Sequence, residues 1–448
     1  MDRHRTDGGP DYYAPFDFST ISTLYCFNII PLKERAYQDY YFCLVMVSES
    51  APLRNKQVGV IGFNARPIAA SATRAGANVY VSDYWGDDDL SSSCKSWIAV
   101  LTPTPGARQR QPLEKPLPFS LVENLLHLTE RTELDFVIVG SGFDDIPEAL
   151  EPLETKGLIS GCSPAKYRKA RNPGTLNRLA QKLDINYPKR RVVDRLDDMF
   201  NIGNFPCVIR PTHSGGGHGI RFARNQDDVI NTFGHLEDEE FDQRAIQEYI
   251  SGFDISCSVL SSKNQSFALS VQGQLIGMPS AGRNCDFAYC GNFLPSLLKK
   301  EVQQKIASVS EEICTDLELS GSIGIDFIVD RNDEIWLMEV NPRIQGSMEL
   351  LERSGSINVS ELHVAATGGL LPRERPKFTP GVKMIVYSRR DGKVSNLAGY
   401  PSTVDRTPSG VVVNMGDPIC TIIETSSSLK ECYAKAVDIT NSVQKEIG

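Results

Sequence analysis

The sequence lacks the cysteine arrangement of a disulfide-stabilised protein. Its 448 residues include 11 cysteines, and none of them forms a C-x-x-C pair. Because their number is odd and their spacing irregular, they indicate no disulfide framework, and we expect reduced thiols in a cytoplasmic protein. Most of these cysteines are interpreted as small, buried apolar residues.

Membrane-length apolar segments and concentrated positive charge are also missing. The apolar stretch YFCLVMV at residues 41–47 is far shorter than the roughly 18 residues that a membrane span needs. No secretory signal with a small-residue cleavage site is visible at the N-terminus. The net charge is −9, and no basic patch with interleaved aromatic residues occurs. We therefore predict neither a membrane nor a nucleic-acid partner.

Several familiar functional motifs are absent as well. GVIGFNARP at residues 59–67 lacks the G-x-G-x-x-G turn of dinucleotide-binding folds. Asp83 lies about where a ribose-binding acid would lie, but without the phosphate turn we predict no NAD site. The sequence also shows no clear catalytic triad. The functional residues therefore have to be sought in other patterns.

Patterned sequence begins at Gln57. QVGVIGF at residues 57–63 is a continuous apolar strand signal, which is followed by helical spacing and then by a second strand signal that ends at Asp83. LDFVIVGSGFDD at residues 134–145 adds another buried strand. This alternation predicts an α/β, Rossmann-like domain over residues 51–162, with its strand ends at a substrate site. Residues 1–50 show no such period and are predicted to be a disordered or dispensable extension.

The rest of the chain is predicted to be α+β. A second domain is expected over residues 163–372, with an amphipathic helix at residues 298–319 and several strand pairs. Residues 373–448 are predicted to form a small β-rich domain that ends in a helix.

A glycine-rich loop lies between two strand signals in FPCVIRPTHSGGGHGIRF at residues 205–222. Backbone amides can wrap a polyphosphate only where no side chain intervenes, and glycine permits a positive φ. The loop lacks the G-K-[ST] of a Walker loop and no helix follows it. We predict a flap that closes over nucleotide phosphates, with a flexible hairpin tip as the alternative. Its glycines are Gly215, Gly216, Gly217 and Gly219.

An acidic hairpin is the second informative pattern. GSIGIDFIVDRNDEIWLMEVNPRIQ at residues 321–345 predicts two strands with Asp326 on the first and Glu339 on the second. Glu339 and Asn341 share a face because strand side chains alternate. Buried carboxylates are rare unless they are paired or bind a metal, and hard oxygen ligands suit Mg²⁺. The hairpin therefore predicts a magnesium site.

Together these patterns resemble the ATP-grasp superfamily over roughly residues 55–448. The resemblance rests on the glycine-rich loop after FPCVIRP, on QEYISGFDIS, and on GIDFIVD with IWLMEVNPRIQ. It implies an ATP-grasp fold with a Rossmann-like domain before it and a β-rich tail similar to that of the biotin-carboxylase branch. The N-terminal segment is similar to that of a group of predicted ATP-grasp carboligases.

The resemblance also implies residue roles. Arg210 stands where a lysine usually contacts the α and β phosphates, and Arg343 aligns with an arginine for a substrate carboxylate or acyl phosphate. The usual upstream lysine has no clean match, with Lys169 or Arg171 nearest. His218 is either a phosphate donor or a solvated loop residue. Further residues implied to bind nucleotide are Gln247, Glu248, Ile250 and Asp254, and those implied to bind magnesium are Asp326, Glu339 and Asn341.

The function implied is ligation of a small-molecule carboxylate to an amine through an acyl phosphate, with ATP and Mg²⁺ (or Mn²⁺). A homodimer is compatible with the resemblance. Two alternatives stay open, namely a bicarbonate-activating enzyme, suggested by NPRIQ, and a nucleotide-binding regulator without catalysis. The sequence of the substrate loop at residues 279–293, which includes Arg283, does not identify the acceptor.

Overall fold

The computed structural model describes residues 52–212, 216–217, 219–236, 242–282 and 286–448. The predicted extension at residues 1–50 lies outside the described residues. So do Gly215 and His218 of the predicted flap, and Arg283 of the predicted substrate loop.

The N-terminal region forms a five-stranded parallel sheet with the order β3-β2-β1-β4-β5. The first helix, α1, buries the apolar residues that its helical spacing predicts. Pro67 lies in the first turn of α1, where no backbone N–H is needed for a hydrogen bond within the helix. The elements are β1 (Gln57–Gly62), α1 (Arg66–Arg74), β2 (Asn78–Asp83), β3 (Ser96–Ala99), α2 (Leu117–Leu128), β4 (Phe136–Val139), α3 (Glu151–Thr155) and β5 (Ile159–Ser160).

A four-stranded antiparallel sheet follows, with the order β6-β9-β7-β8. The predicted glycine-rich loop connects β7 to β8. The elements of this region are α4 (Pro164–Arg171), α5 (Pro173–Lys182), β6 (Arg190–Val193), α6 (Leu196–Met199), β7 (Cys207–Pro211), β8 (Arg221–Ala223), α7 (Gln226–Phe233) and β9 (Arg244–Glu248).

The next strands belong to an eight-stranded antiparallel sheet, which is covered on one side by the predicted amphipathic helix. This helix, α8, buries Ile306, Val309 and Ile313 against β10 and β11. The elements are β10 (Phe253–Ser262), β11 (Ser266–Ile276), β12 (Tyr289–Leu294), α8 (Lys300–Asp316), β13 (Ser320–Val329), β14 (Ile335–Asn341), α9 (Met348–Gly355) and α10 (Val359–Thr367).

The C-terminal residues extend this same sheet, whose order is β14-β13-β10-β11-β12-β15-β19-β17. The predicted boundary between residues 372 and 373 therefore falls within one continuous sheet, because β15 pairs with β12. The last elements are β15 (Gly381–Tyr387), β16 (Gly392–Lys393), β17 (Thr403–Val404), β18 (Val412–Val413), β19 (Pro418–Thr425) and α11 (Leu429–Val443).

Buried charges link the N-terminal sheet to the rest of the molecule. Arg66, at the start of α1, is 3% exposed and donates from Nε to Asp405 at 2.6 Å and from Nη1 to Glu349 at 3.1 Å. Asp89 lies 3.4 Å from Arg66 Nε. This cluster fixes the carboxyl ends of β1 and β2 against the loop after β17. Within the described residues, no helix is both long and apolar enough to cross a membrane.

Candidate active site

One large cleft separates the N-terminal sheet from the two antiparallel sheets. Its volume is about 1600 Å³, whereas a pocket for one small ligand measures roughly 300–1,000 Å³. The carboxyl ends of β1, β2 and β4 open into it, as expected for a parallel sheet. Residues of β9, β10, β13 and β14 line the facing wall. The cleft therefore has room for more than one ligand.

The acidic hairpin lies in this cleft, and its two strands carry Asp326 and Glu339 as predicted. Asp326 of β13 faces Glu339 of β14, and Gly324 faces Asn341. Asn341 donates from Nδ2 to Asp326 Oδ2 at 3.0 Å, and Ser256 of β10 donates to Asp326 Oδ1 at 2.7 Å. The structure therefore brings all three predicted metal ligands together on adjacent strands.

The two carboxyl groups of the hairpin differ in their protonation. Burial, and then the negative charge of Glu339, raises the pKa of Asp326 to about 7. Burial also disfavours ionisation of Glu339, but the guanidinium groups of Arg171 and Arg210 outweigh it and lower the pKa of Glu339. Glu339 is consequently the permanent anion of the pair, and Asp326 is the group that titrates near neutrality.

The donor set fits a divalent cation. Arg171 forms an ion pair with Glu339, and its Nη1 lies 3.4 Å from Asn341 Oδ1. The Arg171 guanidinium group therefore supplies a positive charge between these two side chains. Among the described residues, no group of three or more His, Cys, Asp or Glu side chains is arranged so that it could hold a metal ion. Two carboxylates and an amide oxygen leave coordination positions for phosphate oxygens and water, which suits Mg²⁺.

Two adjacent acids of the N-terminal sheet hold the arginines of this site. Asp144, after β4, accepts from Arg343 Nε at 3.1 and 3.3 Å. Asp145 lies 3.5 Å from Arg171 Nη2. The predicted substrate arginine is therefore oriented by a carboxylate from another sheet. Neither Asp144 nor Asp145 was predicted to be a site residue, although their position after a buried parallel strand is a usable signal.

Two described glycines of the glycine-rich loop, Gly216 and Gly217, line the cleft. The backbone of Gly216 accepts a hydrogen bond from the Tyr289 N–H at 3.3 Å. A Cβ at Gly217 would lie 1.7 Å from the Phe287 carbonyl oxygen, and its φ of 77° is also unfavourable for other residues. Only glycine allows this close approach. Gly219, with a φ of 76°, continues the loop.

Arg210, at the end of β7, lines the cleft beside the loop. Its Nε is buried and has no hydrogen-bond partner among the described residues, and the same holds for Nε of Arg190 in β6. Burial, and then the charge of Arg210, lowers the pKa of Arg190, because two cations lie close together. Unpaired buried donors on neighbouring cations indicate a place for an anionic ligand.

Residues 175–347 match the family model of an ATP-grasp domain. The chain carries an ATP-grasp domain. The resemblance inferred from the sequence is thereby confirmed, and the matched segment contains the glycine-rich loop, the acidic hairpin and Arg343.

Curated relatives match the chain at low identity. An uncharacterized protein of Methanocaldococcus jannaschii is 23% identical over 373 residues, which cover 82% of this chain and 88% of that protein. A formate-dependent phosphoribosylglycinamide formyltransferase of Nitratiruptor is 24% identical over 254 residues, which cover 55% of this chain and 63% of the enzyme. The chain thus spans less than two thirds of that named enzyme.

Solved structures confirm the ATP-grasp fold. The ADP complex of an N5-carboxyaminoimidazole ribonucleotide synthetase matches with a TM-score of 0.66 at 16% identity, over 87% of this chain and 98% of that one. The biotin carboxylase domain of a Hydrogenobacter thermophilus 2-oxoglutarate carboxylase, solved with MgADP and bicarbonate, also gives 0.66, at 15% identity, over 88% and 90% of the two chains. The predicted α/β and α+β fold class is confirmed.

The remaining predicted nucleotide residues of the ATP-grasp domain also line the cleft. They are Gln247, Glu248, Ile250 and Asp254. Burial, and then the charge of Asp326, raises the pKa of Asp254 to about 7. The aromatic ring of Tyr249 also lines this wall and contacts Phe222 edge-on at 4.7 Å.

Of the two candidates for the upstream basic residue, only Arg171 lines the cleft. Lys169 instead donates to the Asp316 carbonyl at 3.3 Å, on the surface. Arg190 was missed, because a basic residue in YPKRR looks like ordinary surface charge until β6 pairs with β9. Asp83 is structural, since it accepts from the N–H groups of Ala65, Trp85 and Gly86 at 2.7–2.8 Å.

Proposed function

We propose that the chain is an ATP-dependent ligase that activates a carboxylate as an acyl phosphate and joins it to an amine. The observation that carries this proposal is the convergence, in one cleft, of the Asp326, Glu339 and Asn341 hairpin with the cations Arg171, Arg210 and Arg343. A carboxylate is a poor electrophile, and its phosphorylation supplies a leaving group. Charge stabilisation at such a centre depends on preorganised cations and donors.

In the proposed reaction, a carboxylate oxygen attacks the γ phosphorus and ADP departs with the electrons of the broken P–O bond. The amine nitrogen then attacks the acyl carbon, phosphate leaves, and the nitrogen gives up its proton. Arg210 and Arg190 hold phosphate oxygens, Arg343 holds the carboxylate, and the glycine-rich loop excludes water that would hydrolyse the acyl phosphate. Magnesium, held by Asp326, Glu339 and Asn341, would offset the phosphate charge.

A second candidate is activation of bicarbonate. The structural match to a biotin carboxylase domain crystallised with bicarbonate favours it. The cleft volume of about 1600 Å³ exceeds the roughly 300–1,000 Å³ of a pocket for one small ligand, and a larger carboxylate is compatible with it. A nucleotide-binding regulator has less need of the complete hairpin.

The test is to trap the acyl phosphate. The purified chain is incubated with MgATP, hydroxylamine and a panel of carboxylates, and hydroxamate and ADP are measured together. We expect stoichiometric hydroxamate and ADP with at least one organic carboxylate. ADP release that depends strictly on bicarbonate would favour the second candidate, and nucleotide binding without any turnover would favour the regulator.

A further inference from the structure

The end of the cleft farthest from the acidic hairpin along the sheet has a different chemistry. It is lined by residues that follow β1, β2 and β3 and by the loop after β17. We call it the acceptor end and define it by Phe63, Trp85, Asp87, Gln109 and Asp405. It lies outside residues 175–347, the segment that matches the family model.

Asp87 is the most unusual residue of the acceptor end. Its side chain is 7% exposed and lines the cleft, yet no hydrogen bond or ion pair of its carboxylate occurs within the described part of the chain. Burial, and then the charges of Asp405, Asp83 and Asp89, raises its pKa well above the ordinary value. A buried carboxyl group is normally paired with a cation, hydrogen-bonded or bound to a metal, and Asp87 has other carboxyl groups as neighbours instead.

The nearby cations are already engaged. Arg66 is shared by Asp405, Glu349 and Asp89. Arg110 lies 2.8 Å from Asp417. Lys383 donates from Nζ to the Gly346 carbonyl oxygen.

Gln109 provides an independent second observation. It is 4% exposed, and its Nε2 donates to Thr407 Oγ1 at 2.8 Å and to the Pro418 carbonyl oxygen at 3.0 Å. A carbonyl oxygen cannot donate, so the amide orientation is fixed and Oε1 cannot exchange places with Nε2. Oε1 is buried without a hydrogen-bond partner among the described residues. Gln109 Oε1 and the ionised form of the Asp87 carboxyl group are therefore both acceptors.

Aromatic side chains complete this end. Phe63 is 37% exposed, lines the cleft and stacks on Tyr84 with 4.9 Å between ring centroids. Trp85 contacts the Phe63 ring edge-on at 5.2 Å. Aromatic rings attract cations through the negative charge of their faces. A ligand that satisfies this end has to supply hydrogen-bond donors and positive charge, and an ammonium group has three donors and no acceptor.

We propose that the acceptor end binds an ammonium group of the second substrate, with Asp87 as its ion-pair partner and Gln109 Oε1 as a further acceptor. This inference rests on the proposed ligase function and names its substrate class. The nucleophile is a molecule that carries a cationic amino group in addition to its reacting group.

The bound ammonium is not the attacking nitrogen. Asp87 follows β2, whereas Asp144, which holds Arg343, follows β4, and β1 lies between these strands. Two strand spacings amount to roughly 10 Å along the edge of the sheet. An attacking nitrogen has to be uncharged and close to the activated carboxylate. The substrate therefore extends over several bonds between its two functional groups.

Calorimetric titration of the full chain, without nucleotide, tests the site with three probes of similar shape: benzylammonium, benzyl alcohol and benzoate. We expect benzylammonium to bind at least about tenfold more tightly than benzyl alcohol, and benzoate to bind more weakly than both. In Asp87→Asn the preference for benzylammonium should fall by about tenfold. Glu148→Gln, which removes an exposed carboxylate that also lines the cleft, should leave the preference unchanged.

Equal binding of the ammonium and the alcohol would overturn the proposal, as would an unchanged preference in Asp87→Asn. Thermal melting gives a second readout. Because Asp87→Asn removes a buried acid that faces other acids, the variant should melt at or above the wild-type temperature. A clearly lower melting temperature would identify Asp87 as a structural hydrogen-bonding group and would also overturn the proposal.

These results are separable from those for the ligase. Hydroxamate formation by an enzyme without ammonium preference would overturn the ammonium site and leave the ligase intact. Ammonium preference without hydroxamate formation would support the site and count against the ligase.

Discussion

The two ends of the cleft carry opposite unpaired groups. Near the acidic hairpin, Nε of Arg190 and of Arg210 are buried donors without partners among the described residues. At the acceptor end, Gln109 Oε1 is buried without a partner among the described residues, and Asp87, which is 7% exposed, forms no side-chain hydrogen bond or ion pair with them. Each unpaired buried polar group costs about 1–3 kcal/mol. One cleft can thus have unpaired donors that suit an anion at one end and unpaired acceptors that suit a cation at the other.

The acidic side chains at the two ends of the cleft also differ in their neighbours. Glu339 is paired with Arg171, so it is ionised and ready to hold a cation. Asp87 faces acids instead. If this contrast is functional, substitutions at the hairpin should affect ATP chemistry, and substitutions around the acceptor end should affect either stability or the second substrate.

The largest effect is expected from Glu339→Gln. Loss of the permanent anion at the proposed metal site should lower the rate of ADP release at least about a thousandfold, roughly 4 kcal/mol, with an unchanged circular dichroism spectrum. Asp333→Asn is the matched control, because it neutralises an exposed acid in the turn of the same hairpin at a φ of 63°, which asparagine tolerates. Near-wild-type turnover in Glu339→Gln would contradict the metal assignment.

A substitution next to the acceptor end should instead lower the stability of the fold. Arg66→Met leaves Asp405, Glu349 and Asp89 without their shared cation, and the free energy of unfolding in urea should fall by at least about 3 kcal/mol. Lys56→Met, which breaks an exposed pair with Asp135 at 2.8 Å, should cost less than about 1 kcal/mol. Equal decreases in the free energy of unfolding would show that the buried ion pairs of Arg66 stabilise the fold no more than the exposed pair of Lys56 does.

Asp144→Asn tests whether Asp144 positions Arg343 for the carboxylate substrate. It replaces the carboxylate that holds Arg343, so we expect KM for the carboxylate substrate to rise between about 10- and 100-fold, with KM for ATP nearly unchanged. Asp145→Asn should show the reverse pattern, because Asp145 faces Arg171 beside the hairpin. A uniform loss of kcat in both variants, with both KM values unchanged, would argue against this division.

The smallest effect concerns pH. The pKa of Asp326 is raised to about 7, so a proton competes with the metal below that pH, whereas the ionised form predominates above it. The affinity for MgADP should be about tenfold lower at about pH 6 than at about pH 8, and calorimetry should detect proton release on binding. In Glu339→Gln the repelling charge is gone, so the pKa of Asp326 should fall and the transition should move to lower pH.

The acidic hairpin could be predicted from sequence because its pattern is local. Two strands joined by a short turn lie side by side, and Asp326 and Glu339 do lie on adjacent strands as predicted. The glycine-rich loop was predictable for a similar reason, since β7 and β8 are its direct neighbours along the chain. The N-terminal parallel sheet followed from the regular alternation of strand and helix signals.

Other features had no local signal. Arg190 lies beside Gln247 of the cleft wall only because β6 pairs with β9. The C-terminal strands join the central sheet through the pairing of β15 with β12. Arg171 and Lys169 are two positions apart in sequence, and only the packing of α4 decides that Arg171 enters the cleft.

Hydrophobic periodicity and turns act over short distances along the chain, so the fold class, the acidic hairpin and the glycine-rich loop are predictable from the amino-acid order. Which charged groups meet depends instead on how the sheets pack. Asp144 and Arg343 are 199 residues apart and form an ion pair, and Asp87 faces Asp405 from another sheet. The ionisation of buried groups depends on such distant neighbours, and these contacts exist only after the sheets have packed around the cleft.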